Sequence, residues 1–75
     1  MNYIVIELQT TGGTTANIVN QYSDLPHAEQ KFYTVCSSAV VSEVPIHAVA
    51  ILDDHGFPIK NECFTHVSEE PESEE

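Results

Sequence analysis

The chain has no arginine and no tryptophan, and among its 75 residues only two lysines, three glycines, two cysteines and one methionine. Each scarcity closes a class of function. Phosphate contacts need several Lys or Arg, and Lys31 and Lys60 cannot supply them, so no direct nucleic-acid binding is expected. Anionic membrane surfaces are disfavoured on the same ground. No run approaches the ~20 apolar residues of a membrane span. The N-terminus lacks a positive region, and Tyr3 to Leu8 is too short for a signal core. Cys36 and Cys63 permit one disulfide, but with no export mark the expectation is reduced thiols in a cytoplasmic setting. A mass of 8.3 kDa allows one small domain with a thin core, which excludes barrels and doubly wound sheets.

What the chain has in excess is acid. Twelve Asp and Glu against two Lys give a formal charge of −10. Five of the Glu lie between Glu69 and Glu75, so residues 68–75 read as a disordered acidic tail and residues 1–67 as a single domain. The domain itself carries seven acids and both lysines, and any protein partner is expected to be basic.

Along the chain, Asn2 to Gln9 alternates Ile4, Ile6 and Leu8 with Tyr3, Val5 and Glu7, which is strand periodicity. Gly12-Gly13 marks a hairpin tip, and Ala16 to Tyr22 is the return strand. Ser23 or Asp24 can cap a helix that has Pro26 in its first turn. Its apolar face is Ala28, Phe32, Val35 and Ala39, and it is expected to run to Ser42-Glu43, where Pro45 disfavours helical geometry at Val44. Ile46 to Leu52, the turn Asp53-Asp54-His55-Gly56, and Ile59 to Val67 form a second hairpin. The predicted fold is α+β: a ββαββ chain making a small antiparallel sheet with one helix on one face.

The chemistry-bearing residues do not assemble a catalytic motif. Gly12-Gly13 is not followed by the Lys-Ser/Thr pair and helix of a phosphate loop. Cys36 falls mid-helix, where nothing stabilises a thiolate. Cys63 and His66, three apart on a strand, point to opposite faces and cannot chelate one ion together. Catalytic residues, cofactors and metals are therefore not expected. One helix on one sheet also leaves little volume for a pocket. His47, inside an apolar strand, is placed opposite Phe64 by a two-residue turn at His55-Gly56, and its expected partner is a backbone carbonyl.

Three stretches carry a resemblance: Tyr3-Ile4-Val5-Ile6-Glu7-Leu8-Gln9-Thr10, Ala28-Glu29-Gln30-Lys31-Phe32-Tyr33, and Val44-Pro45-Ile46-His47-Ala48 leading to Ile59-Lys60-Asn61-Glu62-Cys63-Phe64. The chain resembles a family of short prophage-associated proteins of gut Firmicutes, encoded near phage structural and lysis genes and without an assigned activity. The resemblance implies an accessory protein of a phage or other mobile element. The expected function is a small non-catalytic structural or interaction protein. The alternative is an acidic mimic of nucleic acid that inhibits a DNA- or RNA-binding protein. Because one helix covers only one sheet face and both faces carry apolar residues, a homodimer through the uncovered face is expected. Tyr3, Val5, Val49 and Ile51 are assigned to that surface.

Overall fold

The computed structural model describes residues 1–66. Val67 and the acidic segment from Ser68 to Glu75 lie outside the described residues. The elements are β1 (Tyr3–Thr11), β2 (Thr14–Tyr22), α1 (Leu25–Ala39), β3 (Ile46–Asp53) and β4 (Pro58–Thr65). The strands form one antiparallel sheet in the order β2-β1-β3-β4, so the first strand of each hairpin lies at the centre. The ββαββ reading of the sequence holds.

Local chemistry accounts for each turn. Gly12 and Gly13 both take positive φ, 60° and 83°, the pair of left-handed residues that a two-residue hairpin turn requires. In the second hairpin Asp53 does the equivalent work with its side chain, its Oδ1 accepting from the backbone N–H of His55 and of Phe57. His47 does face Phe64, and the register shifts between Ile51 and Leu52, where a β-bulge takes up the extra residue of the longer turn.

Helix α1 begins where Asp24 Oδ1 accepts from the His27 N–H at 2.9 Å, with Pro26 in the first turn. It ends at Ala39, short of the expected Ser42-Glu43. Ser37, Ser38, Val40 and Val41 are weak helix formers, and the chain tightens there into shorter bonds, Val41 to Ser38 and Ser42 to Ala39. The Ala39 carbonyl also accepts from His66 Nε2 at 2.7 Å, so β4's exit closes the helix end.

The helix lies over β1 and β3. Its predicted face, Ala28, Phe32, Val35 and Ala39, is wholly buried. Ala28, Phe32 and Val35 pack with Val5, Val49 and Ile51 to make the core. Burying each of the larger side chains is worth about 1.5–3 kcal/mol. This placement corrects the expected interaction surface. Val5, Val49 and Ile51 are the most buried strand residues, and Tyr3 packs beside them. They lie on the covered face because the bulky β-branched pair Val49 and Ile51 fills the space under the helix, whereas Ala48 and Ala50 cannot.

Candidate functional site

The uncovered face follows from the register. β1 contributes Ile4, Ile6 and Leu8, opposite Leu52, Ala50 and Ala48 of β3. Val19 of β2 stands beside Ile6, and Cys63 of β4 beside Ala48. Around them lie Thr10, Thr15, Asn17, Gln21, Asn61 and Thr65. No Asp, Glu, Lys or His occurs on this face of the four strands. A solvated antiparallel sheet face normally alternates apolar with charged residues. Among the described residues, none of the seven acids falls on this face of the strands.

The ionisable strand residues sit on the helix side instead. His47, 4 % exposed, lies on the helix side of β3 with Val49 and Ile51. Its Nε2 is 2.5 Å from Glu7 Oε2, and Gln9 Nε2 donates to the same oxygen at 3.0 Å. The expected carbonyl partner belongs to His66, not His47. The Nδ1 of His47 is buried with no partner among the described residues. Glu7 and His47 are one strand apart in β1 and β3, a neighbourhood that strand order creates and that sequence alone does not reveal.

Because the helix sits over β1 and β3, it leaves β4 open on the same side. A groove of about 460 Å³ runs between α1 and β4, lined by Phe32, Tyr33, Cys36, Lys60, Glu62 and Phe64. This corrects the expectation of little pocket volume. Lys60 Nζ lies 3.9 Å from Glu29 and 5.9 Å over the Tyr33 ring, so the one cation in the groove already has partners. Burial, and then the nearby Glu62 carboxylate, push the Cys36 thiol above its ordinary pKa. Cys36 therefore stays protonated at neutral pH and is a poor nucleophile.

One further cluster, Asp53, Asp54 and His55, brings its ligand atoms within 4.8 Å of one another. Asp53 is engaged with the turn: the Phe57 N–H first, and the His55 N–H after it, hold its carboxyl below the ordinary value. The cluster is thus accounted for as turn chemistry. Among the described residues no helix is long and apolar enough to cross a membrane. No protein-family model, curated protein or solved structure matches the chain.

Proposed function

We propose that this chain is a small non-catalytic structural or interaction protein that works as a homodimer, joined through the open sheet face. The observation that carries the reading is the charge-free face centred on Ile4, Ile6, Leu8, Ala48, Ala50 and Leu52. A second copy is the occupant that suits it. The face is neutral and apolar while much of the remaining surface is acidic, so two copies approach with least repulsion here. Four strands of about eight residues make a face of roughly 19 by 26 Å, on the order of 500 Å² in projection. Two such faces reach on the order of 1,000 Å², the lower bound for a specific interface.

The setting is an accessory role in a phage or other mobile element, which rests on the resemblance of three stretches of sequence. A further protein partner would meet the acidic surface outside the dimer and would be basic. The mimic reading draws less support. Glu7 is spent on His47, Glu29 neighbours Lys60, and Asp24 and Asp53 serve a cap and a turn. Among the described residues that leaves Glu43, Asp54 and Glu62, too few to imitate a row of phosphates.

The test is Ile6→Lys, at the centre of the open face. The substitution lowers the net negative charge, so it adds no long-range repulsion between copies and acts locally, by placing a charge in the apolar face of each. Sedimentation at tens of micromolar and physiological salt is expected to give at least twice 8.3 kDa for the parent chain and a clearly smaller mass for the variant at the same concentration. A parent chain that stays monomeric would overturn the reading.

A further inference from the structure

The two edges of the sheet are unlike. β4 carries Pro58, Lys60 and Glu62, and the register of its hairpin is broken by a bulge. Those are the devices by which an edge strand is kept from pairing with another chain. β2, the other edge, has none of them. Thr14 to Tyr22 contains no Pro, Lys, Asp or Glu, and it pairs with β1 over its whole length without a bulge. From Thr14 to Val19 every residue is exposed, including Ile18 at 48 % and Val19 at 53 %. Among the described residues nothing pairs with its outer side. An extended, uncharged edge with free N–H and C=O groups is a template for an added strand.

We infer that the outer edge of β2 is a self-pairing site, at which β2 of a second copy adds antiparallel across a two-fold axis and joins two sheets into one. The strand suits itself. Full-length antiparallel pairing sets Thr14 opposite Tyr22 of the second copy and Ile18 opposite its own counterpart on the axis. That cross-strand pair covers apolar surface which α1, lying over β1 and β3, leaves bare. Charge points the same way. The β4 edge of another copy would bring Glu62 and Lys60 against a neutral strand, whereas β2 brings no charge to either side. Two-fold pairing of identical patches is the usual geometry of self-association. This site lies in the plane of the sheet, so it is separate from the open face and does not depend on the dimer proposed there.

Cross-linking tests it directly, using the full chain with Cys63→Ser to remove the exposed thiol. In the Ile6→Lys background, which removes association through the face, Ile18→Cys places two thiols together on the axis. Thr14→Cys, at a position that is also exposed, places its thiols at opposite ends of the paired strands. Under mild oxidation the Ile18→Cys chain is expected to form disulfide-linked dimers at least tenfold faster than the Thr14→Cys chain. Ile18→Lys, which sets like charges across the axis while facing Glu7 within its own sheet, is expected to weaken the association tenfold or more in sedimentation. Equal cross-linking rates at positions 18 and 14, or undiminished association of a folded Ile18→Lys chain, would overturn the inference. Because the cross-linking is read in the Ile6→Lys background, its outcome is separate from that of the face dimer.

Discussion

The covered and open faces of this sheet reverse the usual distribution of charge. Under and beside the helix lie Glu7, His47, Asp53, Lys60 and Glu62; on the open side lie Ile4, Ile6, Leu8, Ala48, Ala50 and Leu52 with uncharged polar neighbours. The helix side can hold ionisable groups because they answer one another, Glu7 with His47 and Lys60 with Glu29. The open side has no such arrangement and no charge to present to water. The contrast teaches that coverage and polarity are separate properties of a face. Apolar content alone does not tell which side a helix will take.

The contrast can be broken most severely from the covered side. Phe32→Ala removes the largest buried helix side chain and should cost ~3–5 kcal/mol, leaving a chain this small mostly unfolded by circular dichroism. Next in size is the polar pair. Glu7→Leu strands His47 with both ring nitrogens unpartnered, at an expected ~1–3 kcal/mol in urea denaturation. Adding His47→Leu should recover part of that loss, since the orphaned group is then gone.

From the open side, the two cysteines give a contrast without mutating either face. Cys63 lies on the open face and is exposed; Cys36 lines the groove on the other. Alkylation of Cys63 should be fast in dilute protein and slow severalfold as concentration drives dimerisation, while Cys36 stays slow throughout. A Cys63 rate independent of concentration would count against the face dimer.

The smallest effect is in acid. Backbone N–H groups hold the carboxyls of Asp24, through His27, and Asp53, through Phe57, below their ordinary values. A lowered folded-state pKa gives stability that is present above the unfolded value of ~3.9 and is lost as pH falls through the folded one. Melting temperature should therefore decline below about pH 4. Asp24→Asn and Asp53→Asn should flatten that decline while changing the neutral-pH value by only a few degrees.

Much of the architecture was legible because it is written in local chemistry. The helix face Ala28, Phe32, Val35 and Ala39, the Asp24 cap and the Gly12-Gly13 turn all follow from spacing within one element or hairpin; His47 does face Phe64, but through a turn longer than the expected His55-Gly56 pair, offset by the bulge between Ile51 and Leu52. What could not be read is which side of the sheet the helix takes. In β1 both alternating sets are apolar, and Glu7, falling in the set with Tyr3 and Val5, made that set look like the solvated one. Its carboxyl is instead bonded to His47 Nε2, on a strand that only the order β2-β1-β3-β4 makes its neighbour. The discriminating signal was in β3, where Val49 and Ile51 alternate with the much smaller Ala48 and Ala50. The groove is not legible in the sequence for a related reason. It arises from the helix being off-centre over the sheet, and periodicity carries no information on lateral position.

The strand order also bears on how the chain comes together. Each hairpin closes over its own short turn, but the central seam joins β1 to β3, and the Glu7–His47 contact bridges a separation of 40 residues. Closing that loop costs more chain entropy than closing either hairpin, and the helix packed across both strands adds to what the β1–β3 ladder holds. The chain is in this sense two hairpins clasped by a helix. A backbone cut in the connection between Val41 and Pro45 would leave both hairpins whole, and the separated halves would be expected to recombine along the seam.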